Sequence, residues 1–122
     1  MSGPGFDDPS LLATLEQSGA ADFDTLDFGL VAMDRAGTVV GYNTRESKGS
    51  GLSPETVTGR NFFLDVGPCT NNYLVAERFH TEADLDVQLD YVFTFKMKAT
   101  PVRLRLLARA GSPRQYLAVR WE

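Results

Sequence analysis

One cysteine stands in this chain, in the stretch Val66-Gly67-Pro68-Cys69-Thr70, directly after a proline. It cannot form a disulfide within its own chain, and a single cysteine excludes a multi-cysteine zinc site. Cys69 is therefore either a small buried hydrophobe, the commonest role of a free cysteine, or a point of attachment for something else. As a catalytic nucleophile it would need a base. His80 is the only histidine, so a Cys/His pair would rest on two isolated residues brought together by folding. Nor is there a second cysteine to resolve a redox intermediate. His80 itself reads as a surface or packing residue on a helix. Arg103, Arg105 and Arg109 form a basic stripe at strand spacing, which reads as a solvated strand face.

The elements that must position these groups can be traced along the chain. At 122 residues it has one domain's length, enough to bury a core without staples. Twelve basic residues against sixteen acidic give a net charge of −4, which argues against nucleic acid as a partner. There is no apolar run long enough to span a bilayer and no basic-then-apolar start of a signal peptide, so a soluble cytoplasmic protein without membrane insertion is expected. Asp8-Pro9 reads as a helix N-cap followed by proline at the first helical position, with Leu11, Leu12 and Leu15 on one face and Gly19 at the stop. Phe23 and Leu26 belong to a second short acidic segment. Residues 1–27 are thus expected to form a helical cap too short to stand alone, docked on a body spanning 28–122.

That body opens as strand, turn, strand over "FGLVAMDRAGTVVGYN", with Asp34 to Gly37 as the hairpin turn. A loosely helical middle follows. "NNYLVAERFHTEAD" fits a longer helix capped by Asn71 or Asn72, with Tyr73, Ala76 and Phe79 near one face. Leu89, Tyr91, Phe93, Phe95 and Met97 alternate as a half-buried strand should. Val102, Leu104 and Leu106 alternate with arginines in another strand, and "QYLAVRW" supplies the last. The sum is an α+β domain with a central five-stranded antiparallel sheet and a helical middle crossover. This layout resembles a PAS-type sensor domain and leaves room for a small ligand between helices and sheet.

From Gly41 to Thr70 the resemblance sharpens. Tyr42-Asn43, Glu46, Pro54, "GRNFF" from Gly59 to Phe63, and then Asp65-Val66, Pro68-Cys69-Thr70 together resemble the chromophore-binding core of the photoactive yellow proteins. "DYVFTFKM", Asp90 to Met97, is similar to that family's central strand, and a thinner likeness runs from about Phe23 to the C-terminus.

The resemblance implies a blue-light photoreceptor, not an enzyme, with p-coumaric acid held on Cys69 by a thioester. Pro68 would stiffen the attachment point, and the Cys69 N–H could hold the thioester carbonyl. A buried phenolate is costly unless donors satisfy it, and the resemblance implies that Tyr42 and a protonated Glu46 are those donors. Burial and a neighbouring negative charge would lift the Glu46 carboxyl above its usual range. Light would turn the double bond from trans to cis, the Glu46 proton would move to the phenolate, and the stranded carboxylate would loosen the N-terminal cap. Signalling to an unidentified downstream protein, from a monomer or weak dimer, is the implied output.

Several positions depart from the family pattern. Ser50 stands where a threonine is usual beside Tyr42, Leu52 replaces an arginine over the ring, and Phe95 replaces a tyrosine. Arg45 or Lys48 are the nearby cations that could stand in for the missing charge. Met97 matches a methionine that assists dark recovery, while Phe62, Val66, Thr70 and Phe93 are expected to line the pocket or simply fill core. From the residues alone two other readings stay open. One is a PAS-type module that binds a ligand without a covalent bond or mediates dimerisation. The other is a thiol enzyme built on Cys69.

Overall fold

A computed structural model describes residues 4–95 and 98–121. Five strands form one antiparallel sheet: β1 (Gly29–Asp34), β2 (Val39–Tyr42), β3 (Leu85–Phe95), β4 (Lys98–Ala108) and β5 (Arg114–Trp121), in the spatial order β2-β1-β5-β4-β3. The chain's first and last strands are neighbours at the centre. Everything between β2 and β3 therefore crosses one face of the sheet, carrying α3 (Thr44–Ser50), α4 (Pro54–Val57), a π-helical turn (Phe62–Val66), a 3-10 turn (Pro68–Thr70) and α5 (Ala76–Thr81). Before β1 come α1 (Leu11–Glu16) and α2 (Ala20–Phe23).

The β1–β2 turn follows from its residues. The Asp34 carboxylate accepts from the N–H groups of Ala36 (3.0 Å) and Thr38 (2.9 Å), and Gly37 takes φ 93°, where a Cβ would be strained.

Alternation along the central strands sends side chains into two separate cores. Val31, Met33, Leu117 and Val119 face the crossover, and Leu30, Ala32, Tyr116 and Ala118 face α1 and α2. Leu11 and Leu15 are buried on that second side with Phe6, Phe23 and Phe28, and Leu12 packs at its edge. The sheet is thus covered on both faces.

Three local expectations are corrected. The arginine stripe is not a solvated face: Arg105 is only 4% exposed. Its guanidinium pairs with Asp86 (2.8 and 2.9 Å) and donates to the carbonyls of Phe6 (2.8 Å) and Asp8 (2.7 Å). The N-terminal segment lies over that face and makes it dry. Arg103 does remain at the surface, paired with Asp90, and Arg109 is exposed.

Second, the helix expected over "NNYLVAERFHTEAD" is confined to Ala76–Thr81. Asn72 instead closes a turn, its Oδ1 accepting from the N–H of Leu74 (2.9 Å) and Val75 (3.3 Å), and Tyr73 is left 73% exposed. Such side-chain bonds to nearby backbone compete with helix formation. Third, Asp8 does not cap α1. Its carboxylate accepts from the Ser10 N–H (2.8 Å) and hydroxyl (2.7 Å), a turn that delays the helix to Leu11, and α1 ends at Glu16, before Gly19.

Candidate functional site

Asn43, only 2% exposed, organises the first wall of the site. Its Oδ1 accepts from the N–H of Leu30 and of Glu46 (both 2.9 Å), capping α3. Its Nδ2 donates to the carbonyls of Phe23 (2.9 Å) and Phe28 (3.0 Å). All of the side chain's main bonding capacity is thereby used, and α3 is tied to β1 and to the α2 segment through one residue.

Glu46, the third residue of α3, points inward and is fully buried. Oε1 accepts from the Trp121 indole N–H at 2.8 Å, while Oε2 has no partner among the described residues. Burial pushes the carboxyl up to about 8, against the opposing pull of the Trp121 hydrogen bond and the Arg45 charge. Near neutral pH the group is a carboxylic acid. Because Oε1 is an acceptor for the indole, the proton belongs on Oε2.

Two glycines make this geometry possible. A Cβ on Gly29 would lie 2.1 Å from Glu46 Oε1, and one on Gly49 would lie 2.2 Å from the indole of Trp121. Each marks a close approach that no larger residue permits without displacement.

Tyr42 follows on β2, with its hydroxyl 2.7 Å from Ser50 Oγ. Burial, then the nearby Glu46, raises the phenol above its usual value, with the Ser50 bond acting the other way. Ser50 Oγ also accepts from the Leu52 N–H (3.2 Å). When the serine O–H donates to the tyrosine oxygen, the Tyr42 O–H is left free to donate elsewhere.

Cys69 lies half-buried on the 3-10 turn. It packs against the same apolar cluster that contains Tyr42, Phe62, Val66 and Phe93, and Leu52 packs there too. Thr70 is buried, and its hydroxyl donates to the Gly67 carbonyl at 2.6 Å, within its own turn. The Tyr91 hydroxyl donates to the Cys69 carbonyl and accepts from Asn72 Nδ2 (2.6 Å), which also reaches that carbonyl (3.1 Å).

From Tyr91 a ladder of edge-to-face rings continues to Phe93 (6.1 Å) and on to Trp121 (5.4 Å). One end of this ladder is bonded to the backbone of Cys69, the other to the carboxyl of Glu46. The expected residues are thus gathered in one core, except that the side chain of Phe95 and the whole of Met97 lie outside the described residues. Of the two candidate cations, Arg45 acts electrostatically on Glu46, and Lys48 is exposed.

Trp121, Tyr91, Asn72 and the two glycines were not anticipated as site residues. Trp121 had a usable signal: as the only tryptophan it shares strand parity with Leu117 and Val119. The glycines had none, since only the folded backbone shows what approaches them.

This sheet order, with a helical crossover over one face, defines a PAS-type domain. The PAS domain of an HTR-like protein from Haloarcula marismortui superposes with a TM-score of 0.67 over 90% of this chain and 96% of that one, at 18% identity, a likeness of fold alone. Within that class the likeness narrows. The chain belongs to the photoactive yellow protein family. It is 37% identical over 91 residues to the photoactive yellow protein of Rhodothalassium salexigens, covering 72% of this chain and 73% of that protein. It is 36% identical over 90 residues to the one from Rhodobacter capsulatus, covering 68% and 69%. The photoactive yellow protein domain of the sensor histidine kinase Ppr from Rhodospirillum centenum superposes with a TM-score of 0.80 at 38% identity, over 90% of this chain and 99% of that domain. No family model matches the chain. Among the described residues no helix is long and apolar enough to cross a membrane.

Proposed function

We propose that this protein is a blue-light photoreceptor that carries p-coumaric acid as a thioester on Cys69. The observation that carries this reading is the state of Glu46: a buried, neutral carboxylic acid whose Oε2 has no acceptor among the described residues. It sits in the same core as the Tyr42–Ser50 hydroxyl pair and Cys69. A buried donor without a partner is destabilising, and a phenolate oxygen is the acceptor that Glu46 and Tyr42 could both satisfy.

Attachment requires an activated acyl donor. The Cys69 Sγ–acyl bond forms as the donor's bond to its leaving group breaks, and the thiol proton departs with that group. When bound, the conjugated phenolate supplies visible absorption and light-driven trans–cis isomerisation. The rest falls to the chain. Glu46 Oε2 holds a proton in the dark and Tyr42 donates a second hydrogen bond, while the apolar cluster excludes water. Loss of the Oε2 proton would leave a carboxylate in a site built for the neutral acid. A buried charge without a counter-ion is expensive, so α3 must shift. Asn43, bonded to α3 and to the Phe23 and Phe28 carbonyls, carries that shift toward the N-terminal cap (residues 1–27) and away from the sensing core (28–122). Arg45 and Leu52 border the site: one a cation acting on Glu46, the other an apolar lid where related proteins have charge. The signal would then pass to a partner protein, as befits a likeness to a domain taken from a sensor histidine kinase.

The test is reconstitution with activated p-coumaric acid, for the wild type and for Cys69→Ala. The expected result is a visible band in the wild type alone that bleaches in blue light and returns in the dark. A stable band in Cys69→Ala would replace the thioester by non-covalent binding, and no band in the wild type would remove the photoreceptor reading.

A further inference from the structure

The carboxyl of Glu46 and the indole of Trp121 meet where two glycines leave room for them. Trp121 lies on β5 two residues past Val119, the partner of Gly29 in the sheet. A Cβ on Gly29 would lie 2.1 Å from Glu46 Oε1 and 3.1 Å from Trp121 Nε1, so the 2.8 Å bond between those two atoms passes close over the β1 backbone. From α3, a Cβ on Gly49 would meet Cε2, Cδ2 and Nε1 of the same indole at 2.2, 2.5 and 2.5 Å. Phe93 packs edge-on against the ring, 5.4 Å away at 66°. Backbone on two sides and a ring on a third thus hold the indole with its N–H aimed at Oε1.

An indole N–H can only donate. It serves Oε1 whether Glu46 is an acid or a carboxylate, but a hydrogen bond to an ionised acceptor is roughly twice as strong. The bond therefore favours departure of the proton from Oε2, while burial favours its retention. Two other ionisable groups bear on this balance. Arg45, on Glu46's own helix, favours the carboxylate by its charge. Tyr42, on β2, is kept neutral by burial and by Glu46 itself. The facing residues of β1 and β5, Gly29 and Trp121, bring no charge. Trp121 is thus the one direct hydrogen-bond donor that the described residues offer to the Glu46 carboxyl oxygens.

We propose that Trp121 is the positioning residue for proton release: its N–H fixes which oxygen of Glu46 carries the proton and steadies the carboxylate left behind. The step moves one proton from Oε2 to the bound phenolate, or to water in the unloaded chain, and the indole keeps its own. This rests on the reading of Glu46 as the site's proton donor, and it supplies what lets a fully buried acid give its proton up. A buried carboxylate with no donor is among the most costly groups a core can hold, and this one keeps a charge-assisted bond at the moment of ionisation.

The experiment is a pH titration of the unloaded full chain in the dark, followed by nuclear magnetic resonance of the glutamate carboxyl carbons and the indole N–H. One tryptophan gives one indole signal, and Glu46→Gln identifies the Glu46 carboxyl. The indole proton should move downfield with the same midpoint as that carboxyl, about 8, and stay in place in Glu46→Gln. Trp121→Phe retains a ring and removes the donor. It should raise the Glu46 midpoint by about one pH unit, a tenfold gain in proton affinity. Phe93→Leu loosens the packing but retains the donor, and should move the midpoint far less. A static indole signal, a midpoint unchanged or lowered in Trp121→Phe, or an equal rise in Phe93→Leu would each overturn the proposal. If Trp121→Phe does not fold, the wild-type indole titration decides alone. Failure of Cys69 to take up pigment would remove the photoreceptor reading and leave these outcomes unchanged.

Discussion

The unusual chemistry of the site is concentrated in one carboxyl. Glu46 titrates near its ordinary 4.5 in the unfolded chain and is pushed up to about 8 in the folded one. Between these values the folded state holds one more proton, so stability falls as pH rises through that window and levels off above it. Without pigment, the urea midpoint of the wild type should decline between about pH 5 and about pH 8, with a limiting slope of about 1.4 kcal/mol per pH unit. Glu46→Gln cannot ionise and should flatten that decline. An unchanged slope in the variant would mean that another group titrates there. Glu46, Tyr42 and Cys69 were legible in the sequence only as members of a spaced motif. Taken singly, each could equally have been ordinary core or surface. Gly29 was not legible as a site residue, and Trp121 was legible only as an inward position of β5. Their roles depend on contacts across 17 and 75 positions of chain, and no local pattern encodes such contacts.

At the scale of elements, the strands were the easier reading. Alternation along β3 matches its burial, with Leu85 and Phe93 inward and Asp86, Gln88 and Asp90 outward. Alternation fails on β4 because both of its faces are covered: Leu104, Arg105, Leu106 and Leu107 are all buried. A strand pattern reports polarity, and an arginine can be dry when its hydrogen bonds are met. Arg105 therefore acts as a tie between the sheet and the N-terminal segment. Arg105→Gln should lower stability by about 2 kcal/mol and open the bonds before α1 to limited proteolysis. Arg103→Gln, whose charge pair is at the surface, should cost less than about 0.5 kcal/mol. Equal losses and equal cleavage in the two variants would refute the tie. The helix expected from Asn71 onward was misplaced for a related reason. Asn72 spends Nδ2 on Cys69 and Tyr91 and Oδ1 on its own turn, and the helix begins only at Ala76.

Over the whole molecule, the five strands, the helical crossover and the helical start were readable from periodicity and turn residues. The two-core construction was not, because it depends on the N-terminal segment returning to cover the far face. That construction gives the aromatic ladder on the inner face one further consequence. The chain has a single tryptophan, and its indole N–H rests on the carboxyl whose proton matters most. Tryptophan emission from this protein, excited to the red of its four tyrosines, therefore arises at one known spot. A visible-absorbing pigment against Phe93 would drain the indole's excited state by dipolar transfer, so loading should extinguish the emission in proportion to occupancy. Glu46→Gln should alter the unloaded protein's emission, because the group beside the indole changes, while a tryptophan distant from Glu46 would ignore that substitution. A fluorimeter, with no visible light at all, could then count any pigment bound per chain.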